Sequence, residues 1–166
     1  MDFSFENIGF IALIVLTGLS AGLCFTWSNA ITSGIGRLTD LGFLQSFQQM
    51  NRTIINPTFI IVFFGPFLLG LINLYLFRNT PVSFFWLFTS AIAIYFFGVV
   101  LVTIFGNVPL NELLDKTDLS SASLEELREL RDRFEVKWNQ LHLIRTVTSI
   151  ASFILLIICL FQSTKQ

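Results

Sequence analysis

The sequence predicts an all-α protein: a four-helix transmembrane bundle, with an interfacial helix in loop one and a long fourth helix protruding from the membrane. Three observations predict this. The chain of 166 residues is 54% hydrophobic and only 13% charged, about half the charge of an ordinary globular domain, with a mean hydropathy of +0.74. Four apolar runs, Ile8–Trp27, Pro57–Phe77, Phe84–Phe105 and Val147–Phe161, lie near the ~20 residues that cross a ~30 Å hydrocarbon core. Between the last two runs, residues 106–146 hold six of the ten basic and eight of the eleven acidic residues. The whole of 1–166 is thus expected to be one integral membrane domain.

Each element has its own justification. The stretch before the first run contains Asp2 and Glu6 and no Lys or Arg, unlike the basic start of a signal peptide, so a retained first helix over about 8–27 is expected. Within it Gly18 and Gly22 stand four apart with Ser20 and Ala21 between them, a small stripe suited to close helix packing. From Asp40, expected to be the N-cap, Leu41, Leu44, Phe47, Met50 and Ile54 recur at helical spacing. That pattern predicts an amphipathic helix over about 40–54 lying in the membrane interface. Asn56-Pro57 opens the second span, 57–77, as a cap followed by a first-turn proline. Gly65-Pro66 inside it predicts a kink. The six residues Arg78–Ser83 are so short a connection that the second and third spans must be antiparallel neighbours.

The third connection carries Ser123-Leu124-Glu125-Glu126, the S-x-x-E form of a capping box. Leu124, Leu127, Phe134, Trp138 and Leu141 continue an apolar stripe without Gly or Pro into the fourth run. One helix over 123–161 follows, about 58 Å long and roughly twice the hydrocarbon thickness. Its first part, about 123–146, is expected outside the bilayer and its remainder, 147–161, within it. Loops one and three carry Arg37, Arg52, Lys116, Arg128, Arg131, Arg133, Lys137 and Arg145, whereas the other side has only Arg78 and Lys165. Positive charge on the inner side therefore puts both termini outside the cytoplasm.

Composition also excludes functions. A formal net charge of −1 gives no basic field for nucleic acid. One His and two separate Cys, Cys24 and Cys159 within apolar runs, leave no zinc or di-iron ligand set. There is no phosphate-binding Gly loop, no G-x-S-x-G and no intramembrane carboxylate for proton-coupled transport.

What resists a pure packing explanation gathers, by topology, at the membrane end shared by loops one and three: Gln49, Asn51, Arg52, Asn56, Asn107, Asn111, Trp138, His142 and Arg145. Trp138, His142 and Arg145 share one helical face through their i, i+4, i+7 spacing. Such a pocket suits the polar oxygen of a lipophilic molecule, with Arg145 neutralising a phenolate or enolate and His142 moving a proton. The plain alternatives are Arg145 and Trp138 as interface anchors, His142 as a structural or solvated side chain, and Asn107 and Asn111 as turn residues around Pro109.

The order Ala21-Gly22-Leu23-Cys24-Phe25, Gln49-Met50-Asn51 before Asn56-Pro57, Asn107-Val108-Pro109-Leu110-Asn111 and Trp138-x-x-x-His142-x-x-Arg145-Thr146 resembles the anthrone oxygenase family and its bacterial relatives, over nearly the whole chain. The resemblance implies a four-helix membrane fold and, for the fungal members, oxidation of an anthrone to an anthraquinone by O2 without a recognised cofactor. It points to His142 as base and Arg145 as enolate partner, with Asn51, Asn107, Asn111 and Trp138 lining the substrate. The partners it leaves are the bilayer, a lipophilic aromatic or quinone-like molecule and further copies of the chain, in a bacterial inner membrane. A second reading stays open: a non-enzymatic scaffold that docks a partner through its protruding helix, with the polar cluster as structural glue.

Overall fold

The computed structural model describes residues 5–163, and every regular element in them is helical. Asp2 and Lys165 and the side chain of Glu6 lie outside what is described. The elements are α1 (Phe5–Thr26), α2 (Thr32–Ile35), α3 (Asp40–Ile54), α4 (Pro57–Leu76), α5 (Val82–Tyr95), α6 (Val108–Asp115) and α7 (Leu124–Ser163). Four continuous helical rods, Asn7–Ile35, Pro57–Asn79, Val82–Asp115 and Leu124–Ser163, are long and apolar enough to cross a membrane. α1 packs on α4 and α7, and α5 packs on α4 and α7, so the four rods close a ring. Outward-facing Val15, Leu19, Ile61, Leu68, Trp86, Phe97, Val147 and Ile154 are each more than half exposed, an apolar belt that water would not tolerate.

Two rods run further than the apolar runs suggest. α1 does not stop at Trp27: a π-helical turn, Trp27–Ile31, carries it into α2. Nor does the third span end at Phe105. Two π-helical segments, Phe96–Leu101 and Thr103–Asn107, join α5 to α6, so Asn107 and Asn111 are helical residues and do not bracket a turn. Pro109 lies in the first turn of α6, where its missing N–H breaks no bond. Pro66 likewise sits inside an unbroken α4. Tyr95 donates to the Phe63 carbonyl at 2.7 Å, one turn ahead of that proline, where a neighbouring helix can satisfy a weakened ladder.

At one end, here called the head, α3 and α6 cover the first half of α7. The cap of α3 is Thr39, whose hydroxyl accepts from the Gly42 N–H at 3.2 Å, so Asp40 is the first helical residue and not the cap. The apolar stripe of α3 faces protein: Phe43, Leu44 and Phe47 pack with Leu114, Leu127, Phe134 and Trp138. The apolar stripe expected from the helical spacing is thus packed against α6 and α7, where close contact stabilises it. Gln48 donates to the carbonyls of Leu114 and Thr117 at 2.7 and 3.0 Å and so ties the end of α6 to α3. Arg131 clamps the α2–α3 connection onto α7 through Gly36 O, Leu38 O and Asp40 Oδ1. The first turn of α7 carries the reciprocal capping box: Ser123 Oγ accepts from the Glu126 N–H, and Glu126 Oε2 accepts from the Ser123 N–H at 2.8 Å. Just before it, hydrogen bonds from the Ser120 hydroxyl and backbone N–H hold the Asp118 carboxyl below its ordinary range.

Gly18 and Gly22 divide their work. A side chain at Gly18 would strike Phe153 of α7, whereas one at Gly22 would meet nothing within 4 Å. Of this pair, Gly18 is the one at a close helix contact.

Candidate functional site

Trp138 is the hub of the head end. It is buried on α7, where its indole N–H donates to Asn111 Oδ1 at 2.8 Å and its backbone carbonyl accepts from Asn107 Nδ2 at 3.3 Å. One turn on, the His142 ring stacks on it, with centroids 4.8 Å apart and planes 16° from parallel. A further turn brings the Arg145 guanidinium to 5.2 Å from the indole centroid, a cation–π distance. Phe47 of α3 meets the other side of Trp138 edge-on at 4.8 Å, and Trp27 approaches both Trp138 and His142. Spacing along α7 sets this array, since i, i+4, i+7 residues share a face.

Hydrogen bonding fixes the imidazole. A guanidinium only donates, so Arg145 Nη2 at 2.6 Å makes His142 Nδ1 an acceptor. The proton of the neutral ring then sits on Nε2, which points at the Cys24 carbonyl at 3.0 Å. Thr146 Oγ1 lies 3.3 Å from the same carbonyl and 2.8 Å from Ser28 Oγ. Cys24 and Ser28 flank the start of the π-helical turn of the first rod, a distortion common at functional sites.

Arg145 is the unusual member. It is 7% exposed, and none of the ion pairs among the described residues includes it. Its Nη1 donates to Thr103 Oγ1 at 3.2 Å, while its Nε has no partner. A buried cation without a counter-charge is costly, by several kcal/mol even after relaxation. Five buried side-chain polar atoms lack a partner among the described residues, and four are Trp27 Nε1, Asn51 Nδ2, Asn107 Oδ1 and Arg145 Nε. All four belong to the head.

Of the six residues singled out from the sequence, Asn107, Asn111, Trp138, His142 and Arg145 are joined by direct contacts. Asn51 is buried on α3 one turn beyond Phe47, but its Nδ2 bonds to none of them. Gln49 and Arg52 face outward, Arg52 pairing with Asp115 at 2.6 Å. Sequence reasoning missed Trp27, Thr103 and the Thr146–Ser28 hydroxyl pair. Trp27 appeared to be the end of a span, and a threonine or serine in an apolar run carries no signal beyond ordinary bonding to its own helix. Among the described residues no group of three His, Cys, Asp or Glu is placed to hold a metal.

An all-helical bundle of rods long and apolar enough to cross a membrane, with an arginine–imidazole–indole cluster buried at one end, defines the class: a small helical membrane protein. The Anthrone oxygenase family model matches residues 58–155, more than half of the chain, and the protein belongs to that family. The match holds Asn107, Asn111, Trp138, His142 and Arg145, while Asn51 and the stretch around Cys24 lie outside it, so it is shorter than the near-complete resemblance expected from the motifs. No curated protein and no solved structure matches the chain.

Proposed function

We propose that this protein is a cofactor-free membrane oxygenase that converts a lipophilic aromatic compound of the anthrone type, with an acidic C–H bond, to the corresponding quinone. The observation that carries the reading is Arg145: a buried guanidinium with no carboxylate partner among the described residues, beside a neutral histidine. An enolate formed in the site supplies the missing negative charge, and stabilising such an oxyanion is worth about 10²–10³ in kcat for one donor. His142 is the base and Arg145 the enolate partner. Because Nδ1 is engaged by Arg145, the guanidinium must turn from the ring to the substrate oxygen as the base takes the proton, which couples the two events. Trp138 and Trp27 offer ring faces to an aromatic substrate, and Asn107, Asn111 and Asn51 orient its oxygens. The electron-rich enolate then reduces O2, so that anthrone and O2 give quinone and water. We place the protein in a bacterial inner membrane, with both termini outside the cytoplasm.

The test is turnover by protein reconstituted in lipid, following quinone absorbance and O2 uptake against empty vesicles. Wild-type turnover at one O2 per quinone, lost in Arg145→Lys and His142→Gln with folding retained, supports the reading. Absence of turnover above the vesicle background for anthrones of varied substitution rejects it.

The scaffold alternative has one observation in its favour: Trp138 donates to Asn111 and Arg145 to His142, so these side chains satisfy one another in part. On that reading both variants lower thermal stability and no turnover exists to lose.

A further inference from the structure

Resting on that reading, we propose that Thr146 and Ser28 form a hydroxyl relay that carries the proton taken by His142 out of the buried site to the surface of the bundle. His142 and Thr146 are both buried, whereas Ser28 is half-buried. Thr146 Oγ1 stands 3.4 Å from His142 Nε2 and 2.8 Å from Ser28 Oγ. The bond from Thr146 to the His142 carbonyl at 3.0 Å is ordinary bonding within a helix. The contact to Ser28, across to the first rod, is not.

Charge makes an exit necessary. With Arg145 2.6 Å from Nδ1 and no carboxylate among the described residues paired to it, an imidazolium in this position would set a second positive charge against the first. Nε2 has two neighbours that can receive its hydrogen bond, the Cys24 carbonyl and the Thr146 hydroxyl. A backbone carbonyl accepts a hydrogen bond but has no proton of its own to pass on, while a hydroxyl both accepts and donates. The longer contact is therefore the conducting one, and catalytic hydrogen bonds commonly tighten only once substrate is bound.

The step balances. The substrate C–H bond breaks, its proton bonds to Nδ1, and its electron pair stays on the enolate opposite Arg145. Nε2 releases its proton to Thr146 Oγ1, Thr146 gives its own to Ser28, and Ser28 gives one to surface water. The site passes from an unneutralised cation to a neutral guanidinium–enolate pair. Enolate and O2 then yield quinone and hydroxide, and a proton returning along the same hydroxyls converts the hydroxide to water.

His142 is the one histidine in the chain, so ¹⁵N-histidine labelling reports this ring alone, with no substrate required. In protein reconstituted in lipid, exchange of the Nε2 proton with water is expected to slow by about tenfold or more in Thr146→Val and in Ser28→Ala, and to recover in Thr146→Ser. In the same variants kcat falls while KM holds. Exchange in Thr146→Val and Ser28→Ala as fast as in the wild type overturns the relay, even if the protein turns over anthrones. Slowed exchange in a protein with no turnover upholds the proton path and rejects only the proposed reaction.

Discussion

The two ends of the bundle use the same aromatic geometry for different ends. Away from the head, Phe10 meets Phe77 and Phe88 edge-on at 5.4 and 5.6 Å, and Phe77 meets Phe84 at 5.4 Å. Those rings face one another together with Leu13, Ala91, Leu156 and Cys159, so edge-to-face contact and close packing are all they need. At the head, Phe47, Trp27 and Trp138 sit at similar separations but enclose an imidazole and a guanidinium. The first cluster is complete without a partner. The second keeps, among the described residues, four unpartnered polar atoms, one of them the Nε of the buried cation, and buried polar groups in that state call for a further partner such as a water or a ligand. Asn73, with its Oδ1 unpartnered near Gly9, is the corresponding exception in the Phe-rich half.

Five substitutions break or sharpen that contrast. Phe88→Ala opens a cavity in the Phe-rich half and is expected to destabilise the fold by about 3–5 kcal/mol, seen as a large drop in unfolding temperature in detergent. Whatever protein remains folded keeps the Trp138–His142 stack. Arg145→Met is the opposite case. Replacing a buried unpaired charge by an apolar chain of similar length leaves stability unchanged or raised, as for other buried ionic groups, while turnover falls by about 10²–10³. A lower unfolding temperature in this variant contradicts the assignment of Arg145 to a substrate charge and favours the scaffold reading. Gly18→Leu drives a side chain into Phe153 and should cost about 1–3 kcal/mol, whereas Gly22→Leu, with open space around it, should change unfolding little. A smaller effect than that of Gly18→Leu belongs to Ser123→Ala, which removes the cap of α7. About 1 kcal/mol of stability is expected to go, with turnover untouched.

How far the sequence led differs between the same two ends. Apolar runs of spanning length announced the four rods, and Ser123-x-x-Glu126 announced the start of α7, because hydrophobic length and capping are local properties. The Trp138–His142–Arg145 face was legible for the same reason: all three lie on one helix, so their spacing fixes their direction. Where the rods end was not. Ser28 and Asn29 after the first run, and Gly106-Asn107-Val108-Pro109 after the third, have the composition of turns. The chain stays helical there because groups distant in sequence take up the polar atoms: Thr146 meets Ser28, and the Trp138 carbonyl meets Asn107.

The sequence by itself determined the solvent, the number of spans and which residues of α7 look the same way, since each is set by composition or by period along one helix. Only the tertiary structure decided that the apolar stripe of α3 packs on α6 and α7, that Gly18 but not Gly22 is at a helix contact, and that Arg145 has no counter-charge among the described residues. Those outcomes depend on what another segment places opposite a residue, and no local pattern in the chain encodes a partner a hundred residues away.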